Sequence, residues 1–184
     1  MKRSFDSRVD YSLLLPVFCL LVIGVVAIYI AVSHDYPNNV LPILGQQIAW
    51  ISLGLVIGFV VMFFNTEFLW KVTPYLYGLG LALMILPLVF YNPNLVASTG
   101  AKNWVSIGGT TLFQPSEFMK ISYILILARV IVRFTQKHKE WRRTIPLDFL
   151  LIGWMIVFTI PVLLLLALQS DLGTALVFVA IFAG

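Results

Sequence analysis

The sequence contains few charged residues: Asp, Glu, Lys and Arg make up only 11% of its 184 residues. Apolar residues make up 60%, and the mean hydropathy is +0.98. A soluble domain usually carries about 25% charged residues, so this composition excludes an ordinary soluble fold. We therefore predict an integral membrane protein.

Cysteine and histidine are almost absent. The single cysteine, Cys19, lies in an apolar run and excludes an intramolecular disulfide. The two histidines, His34 and His138, have no Cys or His close by, which argues against a metal site. The sequence also lacks a nucleophile motif and a glycine-rich phosphate loop. The residues alone therefore predict no metal site and no class of enzyme.

Five apolar runs are long enough to cross a bilayer, which takes about 20 residues per helix. A sixth run starts near Leu172 and has thirteen residues up to Gly184, about 20 Å of helix. The first run is too long for a signal peptide and should be retained. We predict an all-α polytopic membrane protein with five full transmembrane helices and a truncated sixth, in which residues 1–184 form one domain, the N-terminal part of a larger protein. The five runs are approximately 12–33, 46–64, 73–91, 113–133 and 147–169.

The positions of lysine and arginine predict the orientation, because basic residues stay on the cytoplasmic side. With a cytoplasmic N-terminus, only Lys102 falls in an outer loop, and Lys120 lies within a helix. The basic side is expected to face anionic lipid headgroups, and no nucleic-acid partner is predicted. The basic residues on the cytoplasmic side are Lys2, Arg3, Arg8, Lys71, Arg129, Arg133, Lys137, Lys139, Arg142 and Arg143.

Two glycine patterns predict local structure. Gly54 and Gly58 form a GxxxG pair in the second run, a spacing that favours close helix packing. In the outer loop, residues 92–113, the β-prone segments 103–107 and 110–113 flank Gly108 and Gly109. A Gly-Gly pair favours the positive φ angles of a tight turn. A small β-hairpin is therefore predicted on the outer surface.

Glu117 and Lys120 lie at the start of the fourth apolar run, where charge is costly. Pro115 and Glu117 fit a helix start, in which Glu117 bonds back to a backbone N–H. Capping does not explain Lys120, which lies one turn deeper. Residues three apart share a helical face, so the two side chains can pair. Two interpretations stay open: a purely structural ion pair and a functional polar site.

Asp171 follows the fifth run, in the sequence "LALQSDLGTALVF" (166–178). It can cap the next helix, with Thr174 as the third residue, or it can belong to a polar site. The predicted topology places Glu117 and Asp171 at similar depth on the outer side, with Lys120 below and Lys102 above. Lysine is a good partner for phosphate oxygens. This arrangement predicts a cavity for a lipid-linked phosphate.

Two segments carry a family resemblance: "GAKNWVSIGGTTLFQPSEFMKI" (100–121) and "QSDLGTAL" (169–176). In this order they resemble the SEDS family of bacterial shape, elongation, division and sporulation proteins (RodA, FtsW and SpoVE). The second segment is more similar to the RodA branch than to the FtsW branch. Ser170 stands where the family usually has proline. The resemblance covers essentially the whole chain.

The resemblance implies a ten-helix peptidoglycan glycosyltransferase of cell elongation and rod-shape maintenance, which polymerises lipid II. It implies a class B penicillin-binding protein and other elongation-complex membrane proteins as partners, in the bacterial cytoplasmic membrane. Glu117, Lys120 and Asp171 match family motif positions, and with Lys102 they are the predicted substrate-cavity residues. The family's proposed catalytic Asp lies past Gly184, so this chain is expected to be inactive alone. A divalent cation, Mg or Mn, is expected only in the full-length enzyme.

Two other functions remain open at this point. A lipid II flippase would use the same charged cavity but would have to open it to both faces of the membrane. A non-catalytic scaffold of the elongation or division machinery would tolerate neutralisation of Glu117, Lys120 and Asp171 together, provided that its partners still bound. The sequence does not decide among these functions.

Overall fold

The computed structural model describes residues 11–108, 110–138 and 145–184. They divide into two compact units, one up to Asn65 and the other from Thr66 to Gly184. The first unit is a helical pair: α1 (Tyr11–Asp35) and α2 (Val40–Val61), joined by a 3-10 turn at Pro37–Asn39. The two helices pack against each other, but α2 has no buried residue.

The second unit contains the remaining helices and both strands. Its long helices are α3 (Thr66–Val89), α5 (Pro115–Lys137) and α6 (Ile145–Leu168). Between α3 and α5 lie a short helix, α4 (Pro93–Thr99), and strands β1 (Val105–Ile107) and β2 (Thr110–Phe113). After α6 the chain turns into the apolar helix α7 (Leu172–Ala183).

All five predicted membrane-crossing runs form helices, and the start of the sixth forms α7. In the described part, four helical segments are long and apolar enough to span a bilayer. Helix α5 has the length but carries five charged residues, including Glu117 and Lys120, and is not among the four. The predicted polytopic all-α membrane fold is therefore confirmed. The four segments are Leu14–Asp35, Pro37–Val61, Thr66–Val89 and Leu147–Leu168.

Helix starts differ from the prediction in two places, and one helix was missed. Helices α2 and α3 begin at Val40 and Thr66, not near residues 46 and 73. The first turns of α3 hold the charged Glu67 and Lys71, which lie outside its apolar run, whereas the added first turns of α2 are apolar. Helix α4 is too short to register as an apolar run. It nevertheless carries ordinary helix signals: the Asn92 side chain accepts a hydrogen bond from the Asn94 N–H at 3.0 Å, and Gly100 ends the helix at φ 75°.

The predicted hairpin is confirmed. Strands β1 and β2 are antiparallel, with Ile107 paired with Thr110 across the turn, and Gly108 has φ 60°. An irregularity in the register follows between Val105 and Ser106. The backbone N–H of Ser106 donates to the Phe90 carbonyl at 2.9 Å, which fastens the hairpin to the end of α3.

The core of the second unit lies among α3, α5, α6 and α7. Tyr123 of α5 is fully buried; its ring meets Phe178 edge-on at 5.2 Å, and its hydroxyl donates to Thr159 at 2.7 Å. Thr159 in turn donates to the Met155 carbonyl, so the buried hydroxyls are satisfied. The buried cluster is Tyr77, Met84, Met119, Tyr123, Ile126, Leu127, Val162, Leu166 and Phe178.

Helices α3 and α5 are in close contact at Gly80. A Cβ at this position would lie 2.5 Å from Met119 Sδ and 3.0 Å from Ser122 Oγ. Both neighbours are fully buried and Ser122 donates to the Met119 carbonyl, so neither has room to move. The absence of a side chain at Gly80 sets the spacing between the two helices.

Gly80→Leu is expected to destabilise the protein by about 3 kcal/mol, since overpacking of a filled contact costs that order of energy. The measurement is thermal unfolding of the detergent-purified chain. Gly78→Leu is the matched control, because Gly78 lies on the exposed side of the same helix with nothing within 4 Å of a built Cβ. Equal losses in the two variants would contradict the close approach.

Candidate functional site: the corner between helices α6 and α7

Helix α6 ends in a tight reversal at residues 169–171, called the α6–α7 corner below. The Asp171 N–H donates to the Leu166 carbonyl at 3.0 Å, and the Ser170 N–H donates to the Ala167 carbonyl at 3.1 Å. These two bonds form a Schellman motif, whose left-handed position is usually glycine. Here Ser170 occupies it at φ 59°. Proline, the residue that the resembled family usually has here, cannot adopt this φ.

Asp171 is the centre of the corner. The residue is 7% exposed, and its carboxylate accepts from the backbone N–H of Thr174 at 3.0 Å and from the Thr174 hydroxyl at 2.8 Å. It also accepts from Asn103 Nδ2 at 2.7 Å and, more weakly, from Gln114 Nε2 at 3.4 Å. The predicted cap of α7 is therefore present, and the same side chain joins the outer loop to α5.

Burial raises the pKa of the Asp171 carboxyl, but the hydrogen bonds from Thr174, Asn103 and Gln114 outweigh it, and the net pKa is lowered. A carboxylate with a low pKa whose oxygens already accept four hydrogen bonds is a poor general base. The geometry therefore gives Asp171 a positioning role, since its charge holds three segments of the chain together.

A second set of bonds fixes the loop to the same corner. The Lys102 N–H donates to the Gln169 carbonyl at 2.8 Å. Gln169 is itself buried, and its Nε2 donates to the Met84 carbonyl in α3 at 2.6 Å. Pro87 lies three residues further along α3 and lacks an N–H, which weakens the regular bonding of this last stretch of the helix. The corner thus connects α3, the outer loop and α7.

The predicted pair of Glu117 and Lys120 forms, with Lys120 Nζ 2.8 Å from Glu117 Oε1. The Glu117 side chain is 61% exposed and that of Lys120 is 26% exposed, so the described residues leave the pair open on one side. Among the described residues, the Glu117 side chain contacts Lys120 and makes no capping bond to the helix. The N-cap residue, Gln114, makes no side-chain cap bond and donates to Asp171 instead.

Lys102 presents its ammonium group over the ring of Tyr91, 4.6 Å from the ring centroid. This is a cation–π contact, and no ion pair of Lys102 appears in the part of the chain that the structure describes. A half-buried ammonium without a carboxylate partner keeps its charge available for an anion.

The structure thus brings the predicted residues together in two sets. Asp171 and the backbone of Lys102 lie at the α6–α7 corner, while the Lys102 side chain lies over Tyr91. Glu117 pairs with Lys120 on α5. Within the described ranges no direct bond connects the sets; Gln114, one turn before Glu117, connects them through Asp171. Asn103, Gln114 and Gln169 were not predicted as site residues, although they lie inside the two motif segments. The signal available in the sequence was the presence of these amide side chains, which can donate hydrogen bonds, in the same two segments as the predicted charged residues.

The divalent cation expected for the full-length enzyme, if held by side chains alone, would need several carboxylate, histidine or cysteine ligands close together. Across residues 11–108, 110–138 and 145–184, no three His, Cys, Asp or Glu side chains come close enough to hold a metal ion. The Asp171 oxygens already accept hydrogen bonds, and Glu117 is paired with Lys120. The described residues therefore do not fit such a cation by themselves.

Ser170→Gly is expected to stabilise the protein by about 1 kcal/mol, because glycine carries no Cβ penalty at a left-handed position. The side chain is exposed, so little packing is lost. The measurement is the unfolding midpoint in detergent. Ser170→Ala is the control: it keeps the Cβ and should give no gain. An equal gain from alanine would contradict the strain at Ser170.

Comparison with known proteins finds similar sequences and similar structures. Residues 11–184 match the family model of FtsW, RodA and SpoVE, described as "Cell cycle protein". The chain is 31% identical over 176 residues to the peptidoglycan glycosyltransferase RodA of Treponema pallidum, covering 96% of this chain and 37% of that protein. It is 30% identical over 177 residues to the peptidoglycan glycosyltransferase MrdB of Escherichia coli K12, covering 95% and 43%.

Two further proteins are similar to this chain. A probable peptidoglycan glycosyltransferase FtsW of Nitrosomonas europaea is 29% identical over 188 residues, covering 97% of this chain and 45% of that protein. A solved structure of a peptidoglycan synthase complex, described as coordinating polymerization and crosslinking, superposes with a TM-score of 0.65 at 29% identity, covering 92% of this chain and 44% of that one. The chain spans less than half the length of each of these relatives. Since the family model matches nearly all of its residues, the chain belongs to the FtsW, RodA and SpoVE family of membrane proteins.

Proposed function

We propose that the protein containing this chain is a lipid II polymerase of the bacterial cytoplasmic membrane, and that it acts in cell elongation as RodA-like proteins do. The observation that carries the proposal is the α6–α7 corner. There Asp171 of the "QSDLG" segment bonds to Asn103 of "GAKNWV" and to Gln114 of "QPSE". The motifs of the family thus meet in one bonded arrangement, with Lys102 beside it. The names of the relatives support the class of reaction.

In the proposed reaction an acceptor sugar hydroxyl attacks the anomeric carbon of the donor. The bond from that carbon to the pyrophosphate breaks, the lipid pyrophosphate leaves, and the hydroxyl proton passes to a base. In this proposal, Lys102 and Lys120 offset the pyrophosphate charge. Asp171 holds the loop that carries Lys102. Neither Asp171 nor Glu117 is suited to be that base, because Asp171 accepts several hydrogen bonds and Glu117 is paired with Lys120.

A class B penicillin-binding protein is the proposed partner, since the matched solved structure is of a peptidoglycan synthase complex concerned with both polymerization and crosslinking. The choice of the RodA branch depends on the "QSDLG" segment alone. Relatives named RodA and FtsW match this chain about equally well, so the elongation role is the more specific part of the proposal.

Glycan-strand synthesis from labelled lipid II tests the proposal. The 184-residue chain and a full-length version are compared, each co-purified with its penicillin-binding partner. Product only from the full-length version is expected. Product from the 184-residue chain would move the chemistry onto Glu117 or Asp171. Absence of product from both, together with lipid II translocation in liposomes, would favour a flippase instead.

A further inference from the structure

A cavity with a charged rim lies at the end of α5 opposite Glu117. It has a volume of about 380 Å³ and opens between the last turns of α5 and the first turns of α6. The positive-inside pattern assigns this end to the cytoplasmic face. The residues lining the cavity are Val130, Arg133, Phe134, Lys137 and His138 of the α5 end, and Leu150 and Trp154 of α6.

The rim of this cavity is cationic. Arg133 and Lys137 are one helical turn apart on the same face of α5, and both are exposed. The ion pairs formed by the described residues involve neither of them. Two neighbouring cations without a carboxylate repel each other, and an anion placed between them removes that repulsion. The rim is therefore suited to a bound anion.

His138 completes the rim in a fixed orientation. Its backbone N–H donates to the Phe134 carbonyl at 3.1 Å, and its ring Nδ1 lies 3.0 Å from the same oxygen. Because a carbonyl only accepts, Nδ1 must carry the hydrogen. The ring also packs against that of Phe134, with centroids 4.4 Å apart. The imidazole is thus held as one wall of the cavity.

The rest of the wall is apolar. Val130 lies one turn deeper than Phe134 on α5, and Leu150 and Trp154 face it from α6. A soluble anion such as free phosphate has no apolar part that could contact this surface. A phospholipid uses both halves, because its phosphate can lie at the cationic rim while an acyl chain covers the apolar wall. Tryptophan near the membrane interface is typical of such a position.

We propose that this cavity binds one anionic phospholipid, with the phosphate between Arg133 and Lys137 and an acyl chain along Leu150 and Trp154. The site is separate from the α6–α7 corner and does not depend on the proposed polymerase function. It couples α5 and α6 to the adjacent lipid leaflet through charge as well as through apolar contact.

Native mass spectrometry of the detergent-purified 184-residue chain tests this proposal, with equal amounts of phosphatidylglycerol and phosphatidylcholine added. We expect one phosphatidylglycerol to be retained in clear preference to phosphatidylcholine. Arg133→Gln and Lys137→Gln should each reduce that preference about fivefold, the usual effect of one basic residue near an anionic lipid. Both side chains are exposed, so the variants should fold.

Lys71→Gln is the control, because Lys71 is an exposed lysine near the start of α3 that does not line the cavity. It should keep the preference for phosphatidylglycerol. Equal retention of the two lipids by the unmodified chain would overturn the proposal, as would an unchanged preference in Arg133→Gln. Displacement of the lipid by millimolar inorganic phosphate would identify a soluble phosphate as the ligand and overturn the lipid assignment.

Discussion

Lys120→Met in a full-length version of the protein is expected to abolish polymerisation of lipid II while expression stays near normal. Lys120 lies in the first turns of α5, with its ammonium 2.8 Å from Glu117. Methionine keeps the length of the side chain and removes the charge. If the ammonium offsets the pyrophosphate charge in the transition state, its loss should lower the rate by about 100-fold or more. The measurement is glycan-strand synthesis from labelled lipid II.

Two further variants separate a functional lysine from a structural ion pair. The exchange Glu117→Lys with Lys120→Glu keeps a pair at the same spacing but places the positive charge at the other position. A merely structural pair tolerates this exchange, whereas a lysine that meets the substrate does not. Lys71→Met, which removes an exposed lysine of α3, is the charge-matched control and should stay active. Full activity of Lys120→Met would show that the pair is only structural.

Asp171→Ala is expected to lower the free energy of unfolding by about 3–5 kcal/mol. The change removes the cap of α7, about 1 kcal/mol, and leaves donors of Asn103, Gln114 and Thr174 without their acceptor. Hydrogen bonds to a charged group contribute about 1.5–3 kcal/mol each, so even two lost bonds account for the effect. The measurement is thermal unfolding of the purified chain in detergent.

Asp35→Ala is the control for this loss, since Asp35 is exposed at the end of α1; its removal should cost no more than about 0.5 kcal/mol. A similar loss in both variants would contradict the conclusion that Asp171 holds three segments of the chain together. Asp171→Asn should fall between the two, because the amide keeps one acceptor oxygen and loses the charge.

The stabilisation by Asp171 should also depend on pH. Because its pKa is lowered in the folded protein, its contribution is fully present above the unfolded value of about 3.9. It should be lost as the pH falls through the lower folded pKa. The stability difference between the unmodified chain and Asp171→Asn should therefore be constant from pH 7 to about pH 5 and shrink below about pH 4.

The helices were predictable from the sequence because a bilayer demands long apolar runs, and these are visible without any knowledge of packing. The hairpin was predictable because Gly108 and Gly109 separate two β-prone segments. Helix α4 was missed since a helix that does not cross the membrane leaves no long apolar run, and only its end signals at Asn92 and Gly100 could have revealed it.

Contacts between segments were harder to predict. The cap at Asp171 is local and followed from the spacing to Thr174, but its bonds to Asn103 and Gln114 join residues 68 and 57 positions away. The GxxxG pair shows the same limit: within the described residues nothing lies within 4 Å of a Cβ built at Gly54 or Gly58, while the close helix approach occurs at Gly80. A GxxxG motif indicates that another helix can pack there, but it does not show where helices actually pack.

The bonds from Lys102 and Asn103 to the α6–α7 corner have a consequence for exchanging parts between relatives. In a chimera that received only the outer loop of another family member, the amide donors of the new loop would have to fit Asp171 of the recipient, some 70 residues away in the sequence. The unit of exchange is therefore the loop together with the corner. Loop swaps that ignore residues 169–174 should yield misassembled protein, whereas paired swaps should fold.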